Sequence, residues 1–147
     1  MSDAAVNEAV AHRWHMKLFQ EGKLEVAEEI LLPDFVFHTP LEDGKGVEAA
    51  RQLATDFRAV FPDLTITHED TVAASDKVAI RWTAHGTHHG ELLGVPATGK
   101  EIGSGGIEIF HLRDGKVAEV WIEWNVLSHL QQMGAAVVPG PEHSAEG

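Results

Sequence analysis

Four residues near the end of the chain could carry acid–base chemistry, because they alternate along a predicted strand and share one face: Glu119, Trp121, Glu123 and Asn125. If that face lines a partly dry pocket, desolvation raises the pKa of a carboxyl group towards the range useful to a general acid or base. The opposite face carries Val120, Ile122 and Trp124. Hydrophobicity alone slightly favours burial of that apolar face. Glu108 and Phe110 share one face of the preceding strand, and that face too could point into the pocket or away from it.

Histidine is the enriched titratable residue, with 10 copies in 147 residues. His12 and His15 lie three apart on the first predicted helix, and His85, His88 and His89 form a second group. A metal site needs several ligands that converge from one face, but strand alternation turns His88 away from its two neighbours. His12 and His15 have no evident third partner in the sequence. We therefore expect solvated or hydrogen-bonded histidines and no metal site.

Motifs for nucleotides, covalent catalysis and redox cofactors are missing or incomplete. Gly94–Lys100 fits a G-x-x-x-x-G-K pattern, but Glu101 replaces the expected Ser or Thr and no helix is predicted to follow. The chain has no Cys, no G-x-S-x-G elbow and no G-x-G-x-x-G dinucleotide motif. We expect no cofactor.

Composition narrows the class of protein. With 11 basic and 23 acidic residues, the net charge of −12 argues against binding to nucleic acids or anionic membranes. No apolar run approaches the ~20 residues that cross a bilayer, and the N-terminus does not resemble a signal peptide. These features predict a soluble, cytoplasmic protein.

The elements that must position these side chains change character along the chain. Apolar residues recur with helical spacing over Val6–Leu18, Leu24–Leu32 and Ala50–Phe61, and a short strand is predicted at Phe35–Thr39. Four strand-like segments follow: Leu64–Ala74, Lys77–His89, Glu101–Arg113 and Lys116–Asn125. Tight turns between them predict an antiparallel meander. We expect one α+β domain over residues 1–134, an apolar pocket between helices and sheet, and a flexible tail at 135–147.

Several segments in order resemble one family: Val78–Glu91, Gly94–Lys100, Gly106–Phe110, Asp114–Trp121 and Leu127–Gly134, with Leu31–Val36 and Phe61–Leu64 in the helical half. Together these segments are similar to the SnoaL-like polyketide cyclases, within the superfamily of nuclear transport factor 2 and ketosteroid isomerase. The resemblance covers about residues 10–134. It implies a cone-shaped α+β barrel with three N-terminal helices on a curved, mainly antiparallel sheet. It also implies a homodimer or homotetramer.

The resemblance further implies an intramolecular aldol cyclisation of a polyketide-like ester, without a cofactor. The family's catalytic acid is an Asp on the last strand, and the matching residue here is Asn125, which can donate a hydrogen bond but no proton. Glu123 is the expected substitute, with His38, His88 or His111 as alternatives. Whether the chain is an enzyme is therefore left open by the sequence.

Five further residues are expected to bind the substrate, an apolar carbonyl or ester compound: Trp14, Arg81, Glu108, Phe110 and Trp121. Trp121 and Arg81 also match residues of the family, although core packing and an ordinary ion pair are their simpler interpretations. The alternative function is a non-catalytic module that binds a small molecule or a partner. A cofactor-free hydroxylase or hydrolase relative is a further alternative.

Overall fold

A computed structural model describes residues 3–135 of the chain. Its α-helices are α1 (Asp3–Arg13), α2 (Val26–Ile30), α3 (Val47–Val60) and α4 (Val126–Gln132). A π-helical segment, Trp14–Gln20, continues α1. The strands are β1 (Leu31–His38), β2 (Asp43–Lys45), β3 (Thr65–Ala73), β4 (Lys77–Thr87), β5 (Glu101–Arg113) and β6 (Lys116–Trp124).

One mixed sheet contains all six of these strands, in the order β2-β1-β6-β5-β4-β3. Strands β3, β4, β5 and β6 pair antiparallel with one another in chain order, which confirms the predicted meander. Strand β1, from the helical half of the chain, pairs in parallel with β6, the last strand of the meander. The helices pack on this curved sheet, and the predicted α+β class is confirmed.

The core lies between the helices and the inner face of the sheet. The spacing of Ala50, Leu53 and Ala54 places one side of α3 against that face, and all three are buried. On the last strand the buried residues are Val120, Ile122 and Trp124. The alternative in which the apolar face of β6 points inward is therefore confirmed.

The chain departs from the sequence prediction around Pro33. Helix α2 ends at Ile30, two residues earlier than expected, and β1 already begins at Leu31. The pairing of β1 with β6 shifts register between Leu31 and Val36, and such an irregularity accommodates a proline, which has no N–H to donate. The predicted turn around Gly44 also forms part of the short strand β2. The predicted tail lies outside the described residues, apart from Ala135.

The outer face of the sheet exposes several large apolar side chains: Val72, Ile107, Ile109 and Trp121. They lie on β3, β5 and β6, and no helix within residues 3–135 covers them. No helix within residues 3–135 is both long and apolar enough to cross a membrane.

Candidate active site

A cavity opens between the helices and the inner face of the sheet. Its volume is about 70 Å³. Its walls are mostly aromatic and aliphatic, with side chains from the π-helical segment, α3 and the sheet: Phe19, Leu53, Phe57, Ile66, Ile122 and Trp124. An aromatic and aliphatic lining of this kind suits a small, largely apolar molecule.

Two ionisable side chains meet in this apolar lining. His15 comes from the π-helical segment and Glu108 from the inner face of β5, and they are 3% and 4% exposed. His15 Nε2 lies 2.9 Å from Glu108 Oε2. The contact lacks in-line geometry, and neither atom has a hydrogen bond within residues 3–135. A buried carboxylate and imidazole that do not satisfy each other are available to a bound molecule.

A second histidine stands behind this pair. His15 Nδ1 lies 2.7 Å from Nε2 of His68 on β3, a short hydrogen bond between the two rings. Burial lowers the pKa of His68 to about 4, and the electrostatic influence of the neighbouring His15 and His12 imidazoles contributes in the same direction. His68 is therefore neutral at pH 7, with one ring N–H that can donate and one bare ring nitrogen that can accept.

Backbone irregularities place both histidines. His15 lies in the π-helical segment, and the register of β3 against β4 shifts between His68 and Asp70. Such a bulge reverses which side chains face inward, so Ile66 and His68 face in before it and Thr71 after it. Gln20 Oε1 accepts a hydrogen bond from the Ile66 N–H at 2.7 Å and so ties the two elements together.

Five further residues that line the cavity each have a buried polar atom without a partner among residues 3–135: Trp14 Nε1, Trp82 Nε1, Trp124 Nε1, Ser104 Oγ and His129 Nδ1. An indole N–H can only donate, so a ligand would offer carbonyl or hydroxyl oxygens to these tryptophans. The ring of Trp82 packs over Gly106, its cross-strand partner, because a glycine has no Cβ. A Cβ on Gly106 would lie 2.7 Å from Trp82 Cζ2.

His129 reaches the cavity from α4. Burial lowers the pKa of His129, and charge on the neighbouring His88 lowers it further. Helix α4 is held by Gln132, whose amide accepts from the Gly103 N–H at 2.9 Å and donates to the Gly103 carbonyl at 2.6 Å. The predicted catalytic His88 is fully buried beside Phe61, and its Nδ1 lies 2.9 Å from the Thr98 hydroxyl. His88 does not line the cavity.

The structure places the two foremost sequence candidates outside the cavity. Glu123 is exposed on the outer face of β6. Asn125 is exposed as well and caps α4, because its Oδ1 accepts a hydrogen bond from the Ser128 N–H at 3.0 Å. The interpretation in which this face lines the pocket is wrong, since the apolar side chains of β6 cover the inner face.

The remaining outer-face candidates form a separate cluster. His38 Nε2 lies 2.5 Å from Glu119 Oε2, and its Nδ1 lies 2.9 Å from Asp43 Oδ1. Hydrogen bonds to Glu119 and Asp43 raise the pKa of His38. Trp121 stacks on His38 at 5.2 Å and contacts His111 at 4.6 Å between ring centroids. None of these residues lines the cavity, and neither does Arg81, which is exposed.

Three predicted substrate contacts do lie at the cavity or beside it. Trp14 and Glu108 line it, and Phe110 packs behind them with its ring 6.1 Å from His15. Sequence reasoning missed the role of His15, although it had noted the pair His12 and His15. The missing partner was His68, which is 53 residues further along the chain.

No group of three or more histidine, aspartate or glutamate side chains within the described part of the chain is arranged to hold a metal ion. The imidazoles of His15 and His68 contact each other directly instead.

The family model for SnoaL-like polyketide cyclases matches residues 9–133. Among solved structures, the chain is similar to AclR of Streptomyces galilaeus, a candidate hydroxylase. The two are 26% identical with a TM-score of 0.82, over 97% of this chain and 93% of AclR. IdmH of Streptomyces antibioticus, a candidate polyketide cyclase, is 31% identical with a TM-score of 0.76, over 87% of this chain and 98% of IdmH. TsrD of Streptomyces laurentii is 29% identical with a TM-score of 0.81, over 90% and 97% of the two chains. A search of curated proteins finds no match.

Proposed function

Because this chain belongs to the SnoaL-like polyketide cyclase family, we propose that it is a cofactor-independent enzyme acting on an apolar, polyketide-like carbonyl or ester compound. His15 and Glu108 form its acid–base pair. The observation that carries this proposal is their 2.9 Å contact, buried in the wall of an apolar cavity. In such surroundings a carboxylate and an imidazole can exchange a proton with a bound molecule without competition from water.

The proposed reaction begins with removal of a proton. The Glu108 carboxylate takes a proton from a carbon next to a carbonyl group, and the negative charge moves to the carbonyl oxygen. N–H groups of His15 and of a cavity indole such as Trp82 stabilise that oxygen. For an aldol-type cyclisation, the enolate carbon then attacks a second carbonyl carbon of the same molecule. The resulting alkoxide takes the proton back from Glu108, so one C–C bond is formed and the proton count is unchanged.

Proton abstraction can be measured without the natural substrate. In D₂O, aryl ketones and esters whose spontaneous exchange is slow should incorporate deuterium faster with the protein, as followed by ¹H NMR. Glu108→Gln removes the base and should lower this rate about 10²–10⁴-fold. Glu123→Gln makes the same chemical change at an exposed site and should leave the rate unaltered. Equal rates for Glu108→Gln and the unmodified protein would disprove the assignment.

A non-catalytic binding module is the second candidate, favoured by the mostly apolar cavity wall and its three indoles. It predicts that aromatic ketones quench the fluorescence of the cavity tryptophans and bind equally well to the Glu108→Gln variant. It also predicts that neither protein accelerates deuterium exchange. The exchange assay therefore separates the two candidates directly.

We also propose that two copies associate through the outer face of the sheet. The support is the group of exposed side chains on adjacent strands, with Ile107 50%, Ile109 42% and Trp121 37% exposed. A two-fold contact would cover this patch on both copies at once. Light scattering should give a dimer mass that Ile109→Glu reduces to a monomer. Leu127→Glu, an equally exposed position on α4, should leave the dimer intact, and a monomeric unmodified protein would refute this arrangement.

A further inference from the structure

We infer that His68 is a positioning residue for His15: it donates its Nε2–H to His15 Nδ1, so that His15 presents Nε2–H at the cavity. This inference rests on the proposed function, because the orientation of His15 matters to a reaction only if His15 and Glu108 take part in it. Nothing in the sequence comparisons assigns a role to His68.

The proton positions follow from what each group can offer. Written as a carboxylate, Glu108 only accepts, and although its contact with His15 is out of line, the 2.9 Å between Glu108 Oε2 and His15 Nε2 favours the tautomer whose proton is on that ring nitrogen. The opposite tautomer would place the lone pair of His15 Nε2 against a carboxylate oxygen 2.9 Å away. A neutral His15 that carries Nε2–H has a bare Nδ1, and Nδ1 is the atom that lies 2.7 Å from His68 Nε2. His68 must then supply the N–H of that bond.

The surroundings of His68 suit this donor role. His12 packs its ring edge-on against His68 with 4.4 Å between centroids, and His15 approaches it at 4.8 Å between centroids. A second positive charge here would face both other imidazoles, so His68 stays neutral and keeps one N–H to give. His68 Nδ1 is buried without a partner among residues 3–135, which leaves Nε2 as the ring nitrogen engaged in hydrogen bonding.

The backbone also supports this interpretation. The bulge at Glu69 ends the inward alternation of β3 directly after His68, and the π-helical segment holds His15 opposite. Irregularities of both kinds are frequent at functional sites, where they aim particular side chains. Arg58 adds a hydrogen bond to the Phe19 carbonyl at 3.2 Å near the end of the same segment. Arg58 lies on α3, so it fixes the end of the π-helical segment, and the hydrogen bond from the Ile66 N–H to Gln20 Oε1 joins the two elements that carry the histidine pair.

A test must separate donation of a proton from simple space filling. His68→Gln keeps a side-chain N–H for His15 Nδ1, whereas His68→Leu removes it. His12→Leu is the matched control, because His12 contacts the ring of His68 without bonding to His15. All variants are checked for folding by thermal melting before use. The tautomer of His15 is then read by ¹⁵N NMR on protein labelled at its histidine ring nitrogens, with His15→Gln used to assign the signal.

We expect the Nε2–H tautomer of His15 in the unmodified protein, in His68→Gln and in His12→Leu, and a mixture of tautomers in His68→Leu. Deuterium exchange should fall about 10–100-fold in His68→Leu, by analogy with the loss of a hydrogen bond that orients a metal-ligating histidine, and should largely recover in His68→Gln. An Nδ1–H tautomer in the unmodified protein would overturn the inference. So would an unchanged tautomer and rate in His68→Leu.

The two proposals fail in different ways. If Glu108→Gln retains full exchange while the tautomer of His15 still depends on His68, the proposed reaction falls and the positioning of His15 stands. If Glu108→Gln loses exchange while His68→Leu behaves as the unmodified protein, the reaction stands and His68 has only a structural role.

Discussion

Glu108 Oε2 and His15 Nε2 approach to 2.9 Å in a site where both side chains are almost completely withdrawn from water. Removing two ionisable groups from water costs several kcal/mol for each group, and their mutual attraction repays this only when the geometry is good. Here the contact is out of line and both atoms lack a hydrogen bond within residues 3–135. The pair is therefore a poor stabiliser of the fold, which is the arrangement expected of groups kept for chemistry.

The first prediction concerns the stability contributed by this pair. His15→Leu strands the Glu108 carboxylate in an apolar wall and should lower the free energy of unfolding by about 3–5 kcal/mol. The double variant His15→Leu/Glu108→Met removes both ionisable groups and should equal the unmodified protein or exceed it by about 1–4 kcal/mol. Urea unfolding followed by circular dichroism measures both values. A double variant that is less stable than His15→Leu alone would contradict this account.

The second prediction concerns Asn125, where the family resemblance implies a catalytic Asp. Asn125 caps α4 through Ser128 and is exposed, so Asn125→Ala should cost about 1 kcal/mol of unfolding free energy. Asn125→Asp keeps the capping oxygen and should preserve stability without changing the rate of deuterium exchange. A faster exchange rate in Asn125→Asp would show that this side chain does reach the bound molecule.

The sequence predicts α3 and the meander because the signals for these elements are local. Helical spacing defined α3, and tight turns with alternating apolar residues defined the meander from β3 to β6. The apolar side of β6 correctly indicated its buried face. The wrong expectation arose because Glu123 and Asn125 were given pocket positions from the family's motif, although local hydrophobicity slightly favoured the opposite face.

The site itself could not be read from the sequence, since its parts are joined only by the fold. His15 and Glu108 are 93 positions apart, and His68 reaches His15 only because β3 is bulged after it. Neither the bulge nor the π-helical segment has a pattern in the sequence that alternation or helical spacing would reveal. Alternation places Glu108 on the same side of β5 as Phe110, but no pattern in the sequence pairs it with a histidine of the first helix.

The third prediction concerns the glycine beside Trp82. A Cβ on Gly106 would lie 2.7 Å from Trp82 Cζ2 and 3.0 Å from the Trp124 Cα, and it would also clash with the Glu123 carbonyl oxygen. Backbone atoms of a paired strand cannot move aside, so Gly106→Ala should cost about 1–3 kcal/mol of unfolding free energy. It should also shift the tryptophan fluorescence spectrum, because the ring of Trp82 is displaced.

Gly103→Ala is the matched control for this effect. Its Cβ would meet only the exposed ring of His85, at 3.2 Å from Cε1, and that side chain can rotate away. Gly103→Ala should therefore be the milder change on the same strand. If both glycine variants unfold at the same urea concentration, the close packing of Trp82 on Gly106 does not limit the fold.

The last prediction is the pH dependence of stability. Because burial lowers the pKa of His68 from 6.5 to about 4, the unfolded chain binds a proton between these values and the folded protein does not. The free energy of unfolding should therefore fall as the pH drops from about 6.5 to 4, by on the order of 2–3 kcal/mol from this residue. His68→Gln should remove that part of the slope, as measured by urea unfolding across this pH range.

His38 provides the control of opposite sign. Its hydrogen bonds to Glu119 and Asp43 raise its folded-state pKa above 6.5, so its contribution is complete below pH 6.5 and is lost as the pH rises through the folded value. His38→Gln should therefore flatten the stability curve on the alkaline side and leave the acid side unchanged. His68→Gln should do the reverse. A buried neutral imidazole and a paired imidazolium must respond to protons in opposite directions. If both variants changed stability on the same side of the pH curve, the environments of these two histidines would not explain the pH dependence of stability.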